Sequence, residues 1–215
     1  MDQNKAIKFL YNLSSKLNKF YKSNSKKKLI INNKSKRKKI FNPVTNFDES
    51  FEKMIRSYIV KSFPNDGIIG EEFKEKKTKN KNYWIIDPID GTKAFVAGLP
   101  TWSNLVGMIY KKKSIIGMAN FPELKKTYIS YNNASFILDK NKKKKLKTNS
   151  VINLKKTKIL CNFHNQNINL KILKKIDKLN KNISRITLDA FGYCLLAEGK
   201  LDAVIESNLK VYDVA

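Results

Sequence analysis

Two aspartates stand three residues apart at the end of an apolar run, in the stretch WIIDPIDGTKAF from Trp84 to Phe95. Carboxylates held this close repel each other unless a cation lies between them. Hard oxygen ligands of this kind select Mg²⁺ or Ca²⁺ over softer metals. The carbonyl of Ile89, which lies between Asp87 and Asp90, could supply a further oxygen ligand. The spacing therefore predicts a divalent metal site.

The residues that follow these acids are suited to bind a phosphate. Pro88 has no backbone N–H, so we expect the hydrogen-bonded ladder of the strand to stop there. Gly91 permits a tight bend, and Thr92 is a good N-cap for a helix that begins at Lys93. The N–H groups of Gly91 and Thr92 would open this helix and can bind a phosphate. A metal site and a phosphate site this close together indicate metal-assisted phosphoryl hydrolysis.

Each acid also has a purely structural interpretation. DPIDGT could be only a polar turn that caps a helix, whereas a calcium loop of the EF-hand type is excluded by the spacing of its acids. Glu71 could be a surface charge, and Asp48 and Asp189 could be helix caps. The chain has one histidine, which disfavours a histidine-based nucleophilic site or a histidine-based zinc site.

The formal net charge of the chain is +26, a value typical of proteins that bind nucleic acid. Lysine supplies nearly all of this charge, and the lysine runs lack interleaved aromatic residues on which bases could stack. Abundant Lys, Asn and Ile suit an AT-rich coding sequence. We therefore interpret the charge as solvated surface and disfavour nucleic acid as a partner, although the charge could speed the approach of an anionic substrate.

The sequence favours a cytoplasmic protein with no membrane partner. Cys161 and Cys194 form neither a CxxC pair nor a disulfide framework, as expected in a reducing compartment. The N-terminus has no apolar core of the signal-peptide kind. No window approaches the roughly 18 apolar residues that a membrane span requires.

Helical and extended patterns mix along the chain and predict an α+β layered fold. Apolar residues at helical spacing predict a helix over 4–20 and a second helix that begins at or near Asp48. Tyr83–Ile86 is predicted to be the strand that leads into Asp87. Short turns separate further predicted strands, antiparallel to one another, at Ser103–Tyr110, Ser114–Met118, Thr127–Ser130 and, at the edge, Ala134–Leu138.

The charged run 139–150 is the best candidate for a boundary between two lobes. We expect an N-terminal α+β lobe over 1–140, which carries the metal and phosphate motif, and a C-terminal α/β lobe over 141–215. The elements predicted after the boundary are a strand at Lys158–Phe163, a helix at Ile168–Leu179, a strand at Ser184–Thr187, a helix at Asp189–Glu198 and a strand at Leu201–Glu206.

Four stretches, in this order, resemble the inositol monophosphatase-like superfamily: Pro43–Asp48, Gly70–Glu72, Trp84–Thr92 and Tyr212–Ala215. The resemblance covers about residues 40–215. It implies a layered αβαβα sandwich of the inositol monophosphatase/fructose-1,6-bisphosphatase type, a Mg²⁺-dependent phosphatase activity and a homodimer. The chain looks most like the histidinol-phosphatase branch, on the stretches Gly98–Trp102, Tyr193–Asp202 and Asn208–Lys210.

The resemblance also implies a metal site with two or three Mg²⁺ ions. Glu71, Asp87, the Ile89 carbonyl and Asp90 match the ligands of the first ion. Asp90 also matches a bridge to a second ion, together with Asp87 and Asp213.

Catalytic roles are implied by position in the same way. Glu71 and Thr92 match the pair that holds and activates the attacking water. Asp48 matches an acid that supports the threonine or binds a third, looser ion. Gly91 and Thr92 match the backbone that binds the phosphate.

The substrate implied by the branch is histidinol phosphate, hydrolysed by metal-activated water to histidinol and phosphate in histidine biosynthesis. Asp189 and Glu206 fall where relatives contact the organic part of the substrate. Their carboxylates suit an ammonium group but also accept hydrogen bonds from sugar or inositol hydroxyls. Alternatives are an inositol-1-monophosphatase, a nucleotide 3′-phosphatase, or a basic nucleic-acid-binding protein without catalysis.

The chain departs from the family pattern at three places. Leu188 stands where the branch usually has a glycine, and Tyr212 replaces a common tryptophan. Family members continue beyond the position that matches Ala215, through a helix and more sheet. We therefore expect the last part of the fold to be missing from this sequence.

Overall fold

The computed structural model of the chain describes residues 3–35, 41–139, 142–150, 153, 156–163, 174–175, 178, 183–184, 188–207 and 209–214. The helices are α1 (Gln3–Asn24), α2 (Asn46–Ser62), α3 (Thr92–Val96), α4 (Ala190–Ala197) and α5 (Val211–Val214). The strands are β1 (Ile31–Asn33), β2 (Pro43–Thr45), β3 (Gly67–Gly70), β4 (Asn82–Asp90), β5 (Ser103–Tyr110), β6 (Lys113–Phe121), β7 (Lys126–Tyr131), β8 (Ala134–Asp139), β9 (Lys142–Lys145), β10 (Ile159–Phe163), β11 (Ile183–Ser184) and β12 (Ala203–Ser207).

A seven-stranded sheet is the centre of the described fold, with its strands in the order β3 to β9. Strand β3 is parallel to β4, and every later pair is antiparallel. The three predicted antiparallel strands after residue 100 are confirmed, with a turn at residues 111–112 between β5 and β6. A separate antiparallel pair, β1 and β2, precedes this sheet.

The prediction that Ala134–Leu138 lies at the edge of the sheet was wrong, because β9 pairs outside it. Strand β9 consists of four exposed lysines and has no apolar alternation, so its sequence gave no strand signal. Lysines on an outermost strand discourage pairing with other chains. The large sheet therefore extends past residue 140, and the division of the chain into two lobes stays a prediction.

Helices α1 and α2 cover one face of the large sheet. Leu10 and Leu13 of α1 and Phe51 of α2 are buried in one core with Trp84 and Met108 of the sheet. Helix α1 confirms the predicted helix over 4–20 and extends it at its C-terminal end. Burial of these large apolar side chains stabilises each helix, since isolated helices of this length are marginal in water.

The start of α2 is fixed by a capping box between Thr45 and Asp48. The Thr45 hydroxyl accepts from the backbone N–H of Asp48, and the Asp48 carboxylate accepts from the backbone N–H of Thr45 at 2.6 Å. Asp48 therefore lies in the first turn, as predicted, but Thr45 is the N-cap. Asp48 thus takes part in the capping box and at the same time lies near the candidate metal site.

The opposite face of the large sheet packs against α4. Phe121 of β6 and Tyr128 of β7 form a second core with Cys194 of the helix. Helix α4 also contacts β12, which lies with β10 and β11 in a parallel sheet of order β11-β10-β12.

Helix, sheet, helix and sheet therefore follow one another across the described residues, as the α+β prediction requires. The predicted helix at Ile168–Leu179 and the strand at Ser184–Thr187 lie mostly outside the described residues. Within the described ranges, no helix combines the length and apolar character needed to cross a membrane.

Candidate metal centre

Strand β4 ends in a bulge that carries the two central aspartates. Asp87 pairs with Leu105 and Asp90 with Ser103, so β4 has one residue more than β5 between these pairs. The carbonyl of Pro88 accepts a hydrogen bond from the Asn104 side chain at 2.7 Å. The prediction that the ladder stops at Pro88 was therefore wrong, because the bulge accommodates the missing N–H and pairing resumes at Asp90.

Helix α3 begins directly after this bulge. Gly91 is its N-cap, with a φ of +79°, a backbone conformation that favours glycine. Thr92 is the first helical residue, so the prediction that Thr92 is the N-cap was wrong by one position. Its hydroxyl instead hydrogen-bonds to the Ile89 carbonyl at 3.0 Å and to Oδ1 of Asp48 at 3.4 Å.

Three carboxylates meet beside this turn. Single oxygens of Asp87, Asp90 and Asp213 all lie within 4.8 Å of one another. Asp213 comes from the short helix α5, which contacts β4 and β5. The backbone N–H of Lys210 donates a hydrogen bond to Oδ2 of Asp213 at 2.5 Å. The fold thus joins the central motif to a residue more than a hundred positions later.

Neither aspartate of the motif ionises easily in this environment. Burial, followed by the charge of Asp90, raises the pKa of Asp87 well above its usual range. Burial and the charge of Asp189 raise the pKa of Asp90 to about 8. Among the described residues, Oδ1 of Asp87 is buried and has no hydrogen-bond partner. An all-oxygen cluster with a buried, unpartnered ligand atom fits a hard divalent cation such as Mg²⁺.

A pH-dependent stability follows from these raised pKa values. Between about pH 4 and pH 8 the native state binds more protons at Asp87 and Asp90 than the unfolded chain does, so stability falls as pH rises. As the pH rises from 5 to 8, we expect the melting temperature in EDTA to fall by about 5 °C more than the melting temperature in Mg²⁺. Thermal melts across this range measure the gap, and two parallel curves would contradict the assignment of the site.

Glu71 approaches the three aspartates but does not join their cluster. It lies after β3 and pairs with Nζ of Lys34 at 2.9 Å, while Glu72 pairs with the same nitrogen at 2.5 Å. The charge of Glu71 nevertheless contributes to the raised pKa of Asp87, after burial and Asp90. Burial lowers the pKa of Lys34, but the hydrogen bonds to Glu72 and Glu71 outweigh it and raise the pKa.

Lys34 is a residue of the site that the sequence did not indicate. It is one of many lysines in a Lys/Asn/Ser-rich stretch, so neither its type nor its spacing distinguishes it. Only the fold shows that its ammonium group lies against Glu71 and Glu72. It places one positive charge beside two of the acidic residues near the cluster.

Replacing Lys34 with glutamine should strengthen Mg²⁺ binding about fivefold, since roughly 1 kcal/mol of repulsion is removed and Glu71 is released. Isothermal titration with MgCl₂ measures the change. Lys53→Gln is the matched control, because Lys53 also pairs with a glutamate but is exposed on α2. Unchanged or weaker Mg²⁺ binding in Lys34→Gln would show that Lys34 does not oppose the metal.

Glu52 is a second residue that the sequence did not indicate. It is fully buried on α2 and accepts hydrogen bonds from the backbone N–H groups of Glu72 at 2.7 Å and Phe73 at 3.3 Å. Arg56 binds the Glu52 carboxylate at 2.7 Å and the Phe73 carbonyl at 3.0 Å. This network fixes the loop that carries Glu71. The Glu52–Arg56 spacing predicts only a helix surface pair.

One cavity of about 730 Å³ connects the residues predicted from the sequence. It is lined by Glu71, Asp87, Ile89, Asp90, Gly91, Thr92, Asp189, Glu206 and Asp213. Asp48 is fully buried, and its carboxylate is connected to the lining residues by the hydrogen bond from the Thr92 hydroxyl. Burial raises the pKa of Asp48, against the hydrogen bonds from Thr45 that lower it.

Asp189 and Glu206 lie on the side of the cavity formed by α4 and β12. Asp189 is the N-cap position of α4, but its carboxylate makes no capping hydrogen bond to the described helix. The backbone N–H of Ala190 donates to Oδ2 of Asp90 at 2.8 Å, so the helix start is tied to the aspartate cluster. The structure brings both acids to the cavity, and their contact with substrate stays a prediction.

Comparison with known proteins gives a consistent result. The model of the inositol monophosphatase family matches residues 2–215. A histidinol-phosphatase of Mycobacterium tuberculosis is 29% identical over 80% of this chain and 68% of its own length. The chloroplastic bifunctional phosphatase IMPL2 of Arabidopsis thaliana is 32% identical over 80% of this chain and 49% of its own length. The chain thus spans about half to two thirds of these relatives.

Solved structures support the fold. An IMPase/NADP phosphatase complexed with Mg²⁺ and phosphate superimposes with a TM-score of 0.85 at 19% identity, over 98% of this chain and 78% of that one. At this identity the likeness establishes the fold alone. The α+β fold of the inositol monophosphatase type, predicted from the sequence, is confirmed.

Proposed function

Because the chain belongs to the inositol monophosphatase family, we propose that it acts as a Mg²⁺-dependent phosphomonoesterase that hydrolyses histidinol phosphate to histidinol and phosphate. The observation that carries this proposal is the cluster of Asp87, Asp90 and Asp213 in one cavity with the turn at Gly91. Carboxylate ligands and a helix start suited to phosphate lie together there.

The metal is assigned to Asp87, Asp90 and Asp213, with the Ile89 carbonyl and Glu71 as further oxygen ligands. Mg²⁺ bound there would polarise the phosphoryl group and make water a stronger nucleophile. The presence of two or three ions stays a prediction from the family resemblance.

Thr92 and Glu71 are assigned to the attacking water. The Thr92 hydroxyl uses its proton in hydrogen bonds to the Ile89 carbonyl and Asp48, which leaves its oxygen lone pairs for water. Glu71 can accept a proton from that water. The backbone N–H groups of Gly91 and Thr92 are assigned to the phosphate.

Asp189 and Glu206 favour a cationic organic group on the substrate. Both line the same cavity as the aspartate cluster, and a carboxylate attracts an ammonium group by charge. A named histidinol-phosphatase is among the relatives that match this chain. Carboxylates also accept hydrogen bonds from hydroxyls, which keeps inositol 1-phosphate as the alternative substrate within this family.

A substrate panel tests the proposal. Phosphate release is measured from histidinol phosphate, inositol 1-phosphate and adenosine 3′-phosphate, each with MgCl₂ and with EDTA. We expect Mg²⁺-dependent release, fastest from histidinol phosphate. Faster release from either other substrate would overturn the substrate assignment, and no Mg²⁺-dependent release from any of the three would overturn the phosphatase assignment.

Homodimerisation and a cytoplasmic location stay predictions of the proposal. The first rests on the family resemblance alone. The second rests on the N-terminus, on the lack of a long apolar window and on the use of cysteine; the structure shows Cys161 and Cys194 buried and not joined in a disulfide.

A further inference from the structure

Asn104 lies opposite the bulge that carries the two central aspartates. It is the single residue of β5 between the partners of Asp87 and Asp90, so it faces both Pro88 and Ile89 of β4. A bulge disrupts the ladder locally, and its backbone groups need other partners. The Asn104 side chain supplies one of them, because its Nδ2 donates to the Pro88 carbonyl at 2.7 Å. Asn104 is fully buried, so this bond is shielded from bulk water.

The two carbonyls of the bulge have different roles. The Ile89 carbonyl accepts from the Thr92 hydroxyl at 3.0 Å, and Ile89 lines the cavity, where its carbonyl is assigned to the metal. The Pro88 carbonyl is instead held by Asn104. Because a peptide unit is planar, a fixed Pro88 carbonyl also fixes the peptide plane that leads into Ile89. Asn104 therefore constrains the backbone midway between the two aspartates.

The orientation of the Asn104 amide is set by a chain of polar groups across the sheet. A carbonyl can only accept, so Asn104 must present its NH₂ group to Pro88 and its oxygen to the next strand. There Nδ2 of Asn120 donates to Oδ1 of Asn104 at 3.1 Å, and it also donates to Oδ1 of Asn18 on α1 at 3.0 Å. The Thr127 hydroxyl of β7 donates to Oδ1 of Asn120 at 2.8 Å.

This chain of polar groups is buried and in register. Asn104 pairs with Asn120 across β5 and β6, and Asn120 pairs with Thr127 across β6 and β7. Both asparagines are fully buried, and Thr127 is nearly so. Removing one member leaves a buried donor or acceptor without its partner, which costs more than an average hydrogen bond contributes. The network therefore holds the Asn104 side chain against the bulge with little freedom.

We propose that Asn104 is a positioning residue of the metal centre. It holds the Pro88 carbonyl and thereby sets the separation of Asp87 and Asp90, while Asn120 keeps the Asn104 amide in the orientation that this bond requires. The proposal rests on the proposed function, through its assignment of the metal, and adds a buried residue that governs which ion the site prefers. Mg²⁺ demands near-ideal octahedral geometry, whereas Ca²⁺ tolerates a flexible site. A looser bulge should therefore weaken Mg²⁺ binding more than Ca²⁺ binding.

Three variants test the proposal through ion binding, which requires no substrate. Asn104→Leu removes the donor to Pro88 and keeps a side chain of similar size. Asn120→Leu leaves that donor in place but frees its amide to turn. Ile129→Ala is the matched control, because it removes apolar volume from the core of the same sheet and no hydrogen bond. Isothermal titration with MgCl₂ and with CaCl₂ gives the two dissociation constants, and melting in EDTA measures the loss of stability.

Asn104→Leu should weaken Mg²⁺ binding about tenfold and Ca²⁺ binding by less than about twofold. Asn120→Leu should weaken Mg²⁺ binding about threefold and likewise spare Ca²⁺ binding. All three variants should melt roughly 8 °C below the parent in EDTA. Ile129→Ala should nevertheless bind both ions as the parent does. If Asn104→Leu does not fold, the threefold loss in Asn120→Leu decides the question.

Equal losses for Mg²⁺ and Ca²⁺, unchanged Mg²⁺ binding in the asparagine variants, or the same Mg²⁺ loss in Ile129→Ala would each overturn the proposal. These results leave the proposed function standing, because a parent chain that binds Mg²⁺ and releases phosphate is unaffected by them. A parent whose Mg²⁺ binding depends on Asn104 but which releases no phosphate would contradict only the phosphatase assignment. A parent that binds no Mg²⁺ would overturn the metal centre and the role of Asn104 together.

Discussion

Asp87→Asn is expected to lower kcat/KM by about 1,000-fold, because the cluster loses the charge of a buried ligand to the metal. An asparagine keeps the shape of the side chain but offers only a neutral oxygen. The same change should stabilise the metal-free protein. Burial and the charge of Asp90 raise the pKa of Asp87, and the cost of holding its charge there disappears in the neutral asparagine.

Opposite effects on activity and on stability distinguish a metal ligand from a structural aspartate. Phosphate release measures the first, and melting in EDTA at pH 8 should show a rise of about 3 °C. Asp139→Asn is the control, at the end of β8 and outside the cavity lining. Parental turnover in this variant, or a lower melting temperature in EDTA, would show that Asp87 is not a metal ligand.

Gly70→Ala is expected to lower the free energy of unfolding by about 3 kcal/mol and to reduce activity by more than tenfold. A Cβ at Gly70 would lie 2.1 Å from Oε1 of Glu52. Glu52 is fully buried and is held by Arg56 and by the backbone N–H of Glu72. It cannot withdraw without breaking these bonds and releasing the loop that carries Glu71.

Chemical denaturation and phosphate release measure the two effects of Gly70→Ala. Gly117→Ala is the control, since its Cβ would meet Oγ of Ser130 at 3.2 Å and no buried charge. Glu52→Gln should reproduce part of the loss at Gly70, because it weakens the same bonds without adding volume. If Gly70→Ala is as stable as Gly117→Ala, the Glu52 network does not fix the loop.

The contiguous part of the site could be predicted from the sequence. Asp87, Ile89, Asp90 and Gly91 are adjacent, so local stereochemistry places them on one turn. The prediction that strand pairing ends at Pro88 failed only locally, because a bulge can accommodate a proline within a strand. The register shift between Asp87 and Asp90 depends on the neighbouring strand, which no local pattern specifies.

The distant part of the site could not be predicted from local pattern. Asp213 was assigned only through the family resemblance, since more than a hundred residues separate it from the motif. Lys34 and Glu52 act through contacts with residues about 20 to 40 positions away. The spacing of a glutamate in a helix does not show whether the side chain is buried, because burial depends on the loop that packs against the helix.

The measurement that tests the metal centre most directly is anomalous diffraction from crystals of this chain soaked in MnCl₂, with Mn²⁺ as a substitute for Mg²⁺. We predict an anomalous peak within coordination distance of Asp87, Asp90 and Asp213, and loss of that peak in Asp87→Asn. A well-ordered chain with Mn²⁺ bound elsewhere, or with no peak at these three carboxylates, would contradict the account.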